Sequence, residues 1–186
     1  MTASDDRFLD VINFRAAREQ FERITTLPPN CPESDELIRY FIFDLHAAIE
    51  IELRRILYHT FQPQLFITGD DPQDDRVRRD LARMIGGLSF VEMHRMLRPI
   101  LMSWPGNDFE AMEDIDDVRS QVAYAGDVND VVYKNRNPFR QRECLAQLYF
   151  DVWGMKQCFS QHFEAKIERP KVVLQRYIDR MGVDPS

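Results

Sequence analysis

The chain has 186 residues, 44% of them hydrophobic, which is enough for one sizeable core and short for two independent domains. Its 24 lysines and arginines against 31 aspartates and glutamates give a formal net charge of -7. This balance excludes a protein that coats nucleic acid by bulk attraction, so any contact with RNA needs a local basic patch.

Cysteine usage and the amino-terminal sequence bear on the compartment. Two of the three cysteines, Cys144 and Cys158, fall within one predicted helix, where they would lie about 21 Å apart, too far to form a disulfide within one chain. The amino terminus is acidic and lacks the apolar run of a signal peptide, and no segment has the apolar length of a membrane span. We therefore expect a soluble, cytoplasmic protein that does not contact membranes.

Seven segments are predicted to be helices, from the spacing of their apolar residues and the breaks between them. They cover residues 5–24, 34–61, 74–85, 89–103, 108–125, 138–163 and 170–181. Breaks are predicted at 26–32, 62–73, 86–87, 104–107 and 127–137, the last being a structured loop rather than a strand. Pro99 predicts a kink or an early helix end, and Asn137-Pro138 predicts a cap and first helical turn. The expected fold is all-α, a single-domain helical bundle with two long helices and several shorter ones.

The helix predicted at 108–125 carries the most informative residues. Ile115, Val118 and Val122 lie on one inward stripe, and Arg119 lies beside that stripe, at the edge of the core. Asp116, three residues earlier, offers Arg119 an ordinary ion pair on a helix surface. That pairing and a functional role are the two interpretations of Arg119.

The functional interpretation rests on Arg119, Ser120 and Tyr124. Here the chain resembles the HEPN superfamily (higher eukaryotes and prokaryotes nucleotide-binding domain), whose motif is an arginine, a polar residue that is usually asparagine, three further residues and a histidine. The resemblance covers residues 34–165 and implies a HEPN-like core within a single domain of residues 1–186. Residues 1–33 would add an amino-terminal helix and Pro-rich turn, and 166–186 a carboxy-terminal helix.

Members of this superfamily dimerise and join their motifs into one cleft that cuts RNA without a metal or other cofactor. A histidine suits the base that takes a proton from the ribose 2'-hydroxyl, and an arginine suits the stabilisation of the phosphate. The chain keeps Arg119 and departs from the motif at Ser120 and Tyr124. Because an unperturbed tyrosine titrates near pH 10, Tyr124 is a poor base, although it can hydrogen-bond a phosphate or stack on a base.

The resemblance implies a homodimer that acts on RNA or a nucleotide, as a weakened endoribonuclease or a non-cleaving relative. Toxin-antitoxin and phage-defence systems are the contexts implied, with an antitoxin as a possible protein partner. A cluster of cations after the motif supplies the local basic patch: Lys134, Arg136, Arg140 and Arg142. We predict that these four residues contact RNA, with a solvated loop and helix start as the alternative interpretation.

Two other functions compete with this hypothesis. A non-catalytic helical adaptor or regulator would use a dimer or partner surface. The sixth predicted helix carries an aromatic row that we interpret as core or dimer interface: Tyr149, Phe150, Trp153 and Phe159, with Met155. The adaptor hypothesis predicts that Arg119 is bound to an acidic side chain, whereas the RNA hypothesis predicts that Arg119 and Tyr124 line a cleft near Arg140. A metal-dependent hydrolase has only His46 and Glu50 in its favour, and a partly buried histidine is the preferred interpretation there.

Overall fold

The computed structural model describes residues 3–61, 72–103, 109–124, 126–163 and 165, and the side chains of 3–13, 72–73 and 109 lie outside that description. The elements are α1 (Ala3–Thr26), α2 (Pro32–Phe61), α3 (Pro72–Gly86), α4 (Phe90–Leu101), α5 (Phe109–Tyr124) and α6 (Arg142–Phe163). Within these ranges the backbone forms helices and no strand, which confirms the all-α prediction. None of the described helices is long and apolar enough to cross a membrane.

Predicted and observed helices agree closely where the sequence has a clear stop. The helix predicted at 74–85 ends at the Gly86-Gly87 pair, and the one at 89–103 ends at Leu101, two residues after Pro99. The break predicted at 104–107, the helix predicted at 170–181 and residues 62–71 of a predicted loop lie outside the described residues.

The start predicted for α6 is wrong by four residues. Asn137 was expected to cap a helix that continues from Pro138, but α6 begins at Arg142 and residues 138–140 form a turn. The Asn137 carboxamide oxygen does accept hydrogen bonds from the backbone N–H groups of Phe139 and Arg140, at 2.8 and 3.1 Å. Its amide nitrogen, however, donates to the carbonyls of residues 128 and 129, both at 2.9 Å. Asn137 thus ties the turn to the preceding loop, and the helix starts only after that turn.

The chain divides into two compact units, Met1–Glu52 with Gly106–Lys156, and Leu53–Pro105 with Gln157–Ser186. The divisions fall inside α2 and α6. The candidate residues at 116–142 all belong to the first unit. The expectation of a single domain stays a prediction.

In the first unit α2 and α5 run antiparallel. Three contacts show their register: Arg39 with Val122, Phe43 with Arg119, and His46 with Asp116. The two residue numbers of each pair add to nearly the same value, as they do for antiparallel helices. Apolar side chains from three helices bury the core of this unit: Phe41, Ile42, Leu45 and Ile49 on α2, Met112, Ile115, Val118 and Val122 on α5, and Leu145, Leu148 and Val152 on α6. The candidate residues therefore lie on a well-packed pair of helices.

The segment between α5 and α6 is a structured loop, as predicted. The Gln121 carboxamide accepts from the Val132 N–H at 2.7 Å and donates to the Val132 carbonyl at 3.2 Å. Tyr133 forms an isolated bridge with Arg136, and its buried hydroxyl donates to Asp151 on α6 at 2.5 Å. These bonds hold the loop against both neighbouring helices.

In the second unit, side chains close the ends of α3 and α4. The Arg54 guanidinium donates to the carbonyls of Ile85 and Leu88, at 2.8 and 3.3 Å, where α3 ends. Ser89 and Glu92 form a capping box at the start of α4, in which the serine Oγ accepts from the Glu92 N–H and the Glu92 carboxylate accepts from the Ser89 N–H. Both devices satisfy backbone groups that a helix end leaves without partners.

Candidate functional site

Arg119 lies at the edge of the first unit's core. Ile115, Val118 and Val122 are each no more than 2% exposed, as the stripe predicted, and Arg119 beside them is half-buried. Its guanidinium carbon is 5.9 Å from the centroid of the Phe43 ring on α2, within range of a cation–π contact. The aromatic ring supports the guanidinium without neutralising its charge.

The ion pair that offered the ordinary explanation of Arg119 is not formed. Among the described residues no carboxylate pairs with the Arg119 guanidinium, and no hydrogen bond engages it. Asp116, the acid three residues earlier, instead places its Oδ1 2.9 Å from His46 Nε2 on α2. The adaptor hypothesis expected Arg119 to be bound to an acid, so this arrangement does not favour it.

His46 is a buried side chain between two carboxylates, Asp116 and Glu50. Its side chain is 8% exposed, and a second carboxylate, Glu50, lies 3.7 Å from Nδ1. Burial lowers the pKa of His46 below its usual value of 6.5 and outweighs the opposite effect of Asp116 and Glu50, while the charge of Arg119 lowers it further. The lowered pKa favours the neutral ring. Because a carboxylate only accepts, Nε2 carries the hydrogen donated to Asp116.

The remaining motif residues lie on α5 with Arg119 but do not share its direction. Ser120 is half-buried, and Tyr124 at the end of α5 is 84% exposed. Five residues of helix place Tyr124 about 140° around the axis from Arg119 and about 7.5 Å further along. Within one chain the two side chains therefore do not converge on one point.

Three of the four clustered cations are engaged within the chain. Lys134 pairs with Asp151 at 2.9 Å, and Arg142 donates to Ser34 Oγ at 3.1 Å. Arg140 binds both oxygens of Asp35, at 2.9 and 3.2 Å, and donates to Asn129 Oδ1 at 2.7 Å. These contacts hold the loop and the start of α6 in place.

Arg136 differs from the other three cations. It is exposed, and its guanidinium has no hydrogen bond or ion pair with any residue in the described part of the chain. Arg140, by contrast, contacts Asp35, which lies eight residues before Phe43 on α2, about 12 Å along the helix. Arg140 and Arg119 therefore do not contact each other within one chain, and their predicted proximity at a dimer cleft stays a prediction. Among the described residues, Arg136 is the cation of the cluster that remains available.

The aromatic row of α6 is divided between core and surface. Met155 and Phe159 are buried, as a core interpretation expected, whereas Phe150 is 61% exposed and Trp153 is 41% exposed. Trp153 packs on Phe14 with ring centroids 5.0 Å apart. The exposed faces of Phe150 and Trp153 are the part of the row that a partner surface could use.

His46 and Glu50 were the residues in favour of a metal-dependent hydrolase. No group of three or more His, Cys, Asp or Glu side chains within the described ranges is arranged to hold a metal ion. The structure explains the pair instead by the contact of His46 with Asp116, in line with the preferred interpretation of a partly buried histidine.

Sequence reasoning did not connect His46 or Phe43 with Arg119. The signal present in the sequence was local, since Phe43, His46 and Glu50 recur at helical spacing on one side of α2. Their relation to Arg119 depends on the register between α2 and α5, and spacing within one helix does not encode that register.

Comparison with protein-family models, with curated proteins and with solved structures found no match to this chain. The HEPN resemblance therefore stays a prediction.

Proposed function

We propose that the protein acts on RNA through Arg119, as a HEPN-like protein whose altered motif binds a phosphate better than it cleaves RNA. The observation that supports this most is the state of Arg119, half-buried on Phe43 and without a carboxylate partner among the described residues. A guanidinium in this state keeps its donors for a planar, two-point contact with a phosphate.

Ser120 and Tyr124 have supporting roles in this proposal. Ser120, the next residue of α5, offers a half-buried hydroxyl, and the exposed Tyr124 ring offers a surface on which a base stacks. Arg136 is a second cation available to the RNA backbone. Because Tyr124 does not supply a base near neutral pH, we expect slow cleavage or none.

The proposal includes a homodimer. Arg119 and Tyr124 point in different directions on one helix, so a shared cleft requires the Tyr124 of one copy to approach the Arg119 of the other. In a two-fold symmetric dimer the same surface of both copies forms the interface, so the Tyr124 of each copy lies near the Arg119 of the other. A toxin or defence role, with an antitoxin as partner, belongs to the same proposal.

A non-catalytic adaptor is the second candidate, and the exposed aromatic surface of Phe150 and Trp153 favours it. Aromatic side chains of this size are common anchors in protein interfaces. The adaptor function uses α6 and leaves Arg119 without a role. The two candidates are thus separated by substitutions on different helices.

The test is a cleavage and binding assay on a labelled pool of single-stranded RNA, without added metal. The native protein, Arg119→Ala and Tyr124→His are compared, with Arg95→Ala as the control because Arg95 is an exposed arginine on α4. We expect the native protein to bind RNA, Arg119→Ala to bind about tenfold or more weakly, as removal of a charge-assisted hydrogen bond implies, and Arg95→Ala to bind like the native protein. Tyr124→His is expected to gain cleavage, since histidine restores a base near neutral pH.

Retained folding of each variant is checked by circular dichroism before RNA is added. If native and Arg119→Ala proteins bind RNA equally, or neither binds, Arg119 is not an RNA contact and the adaptor takes first place. In that case Phe150→Glu should abolish capture of the protein partner.

A further inference from the structure

The contact between Asp116 and His46 determines whether Asp116 forms an ion pair with Arg119. Asp116 and Arg119 are three residues apart on α5, the spacing at which acidic and basic side chains normally pair. In the structure Asp116 turns instead toward α2 and receives the hydrogen bond of His46 Nε2 at 2.9 Å. The default pair on α5 has been replaced by a contact between helices.

We propose that His46 is a positioning residue that holds Asp116 away from Arg119 and so keeps the Arg119 guanidinium available for a phosphate. This inference rests on the proposed function, because it assigns His46 a part in the same anion site. His46 does not touch the ligand. It acts through the side chain of Asp116.

Burial gives the contact its strength. His46 is 8% exposed and Asp116 is 22% exposed at the side chain, so their hydrogen bond is largely shielded from water. Moving Asp116 to Arg119 would take an acceptor away from a buried donor in exchange for a more exposed ion pair. An unsatisfied buried donor costs more than an exposed pair contributes. The carboxylate therefore stays on His46.

The register of the two helices makes the arrangement specific. Phe43 lies three residues before His46 on α2, and Arg119 lies three residues after Asp116 on antiparallel α5. The same register thus places an aromatic ring under the guanidinium and a hydrogen-bond donor at the acid. Glu50 approaches the other nitrogen of the His46 ring at 3.7 Å, on the far side of His46 from Phe43 along α2, and so lies on the side remote from Arg119.

The experiment measures the affinity of the purified full chain for a fluorescein-labelled single-stranded RNA of mixed sequence, by anisotropy at one fixed salt concentration. His46→Leu removes the donor, so Asp116 is expected to pair with Arg119 and weaken RNA binding about two- to fivefold, the factor that corresponds to breaking a part-exposed ion pair. His46→Gln keeps a donor near the position of Nε2 and is expected to bind more tightly than His46→Leu.

The decisive variant is the double substitution of His46→Leu with Asp116→Asn. It removes the competing charge and is expected to restore the affinity that His46→Leu reduces, which a merely structural role of His46 would not allow. Asp116→Asn alone is expected to bind RNA more tightly than the native protein, because it removes a negative charge beside the anion site.

Three results would overturn the inference: unchanged affinity in His46→Leu, no recovery in the double variant, or weaker binding by Asp116→Asn. The last of these remains informative if His46→Leu fails to fold. Arg119→Ala is measured in the same series. If it binds RNA like the native protein, the proposed function itself fails, whereas weaker binding by Arg119→Ala with no effect of His46→Leu overturns only the role of His46.

Discussion

His46 and Asp116 show how a polar pair is tolerated beside a hydrophobic core. The imidazole is buried, and its hydrogen bond to Asp116 replaces the water that it loses on folding. Because burial is the largest influence on its pKa, the ring favours the neutral form in the folded protein. The stability of the fold should therefore depend on pH through this residue.

The sign of that dependence follows from proton binding. In the unfolded chain His46 takes up a proton as the pH falls through about 6.5, its ordinary pKa, while in the folded protein uptake is delayed to a lower pH. The unfolded state therefore binds more protons in that window, and the free energy of unfolding decreases as the pH falls. Above the ordinary pKa the penalty is absent. Each unit by which the pKa is lowered is worth about 1.4 kcal/mol.

We expect the native protein to lose stability as the pH falls through the ordinary pKa of His46, about 6.5, and His46→Gln to lose less over the same range. Urea unfolding at several pH values measures this difference. The carboxyl groups with lowered pKa are Glu92, Asp127 and Asp151, whose ordinary values are 4.5, 3.8 and 3.8. Their contributions to stability are therefore lost at lower pH than the contribution of His46. Parallel profiles for the two proteins would contradict the role of His46 in this pH dependence.

The environment of Arg119 could be predicted from the sequence only in part. Its place at the core edge followed from the stripe of Ile115, Val118 and Val122, and the structure confirms it. The sequence did not predict that Arg119 lacks an acidic partner among the described residues. Asp116 is spaced to pair with Arg119 on the helix, but it bonds instead to His46, 70 positions away. Tertiary contacts of that range are not visible in one sequence.

At the scale of elements, the helices were predictable where local chemistry fixes an end. Gly86-Gly87 and Pro99 stop or shorten α3 and α4 through the backbone preferences of glycine and proline. The start of α6 was not predictable, since Asn137 has capping chemistry but its amide nitrogen bonds the loop at residues 128–129. Which backbone groups a polar side chain meets is a tertiary property.

The capping box of α4 provides a test at this scale. Ser89→Ala removes the side chain that accepts the Glu92 N–H, so we expect a decrease of about 1 kcal/mol in the free energy of unfolding. Ser103→Ala is the matched control, because Ser103 follows the end of α4 and its hydroxyl only donates to the Ile100 carbonyl. Chemical denaturation compares the two variants. Equal stability of Ser89→Ala and the control would show that the capping box does not stabilise α4.

At the scale of the whole molecule, charge determines how RNA can be bound. A net charge of -7 repels a polyanion, so affinity has to come from a few local contacts rather than from a wide basic surface. With Lys134, Arg140 and Arg142 engaged inside the chain, Arg119 and Arg136 are the cations of the proposed RNA contact. We therefore expect RNA binding with a shallow dependence on salt.

The measurement that tests the central claim most directly is the salt dependence of RNA affinity for the native protein and for Arg119→Ala. For single-stranded RNA, removing one cation that binds a phosphate should reduce the slope of log affinity against log salt by about 0.7. We expect Arg119→Ala to bind RNA with lower affinity and with a slope reduced by about 0.7 for each Arg119 that contacts the RNA. An unchanged affinity and slope would contradict the claim that Arg119 binds a phosphate.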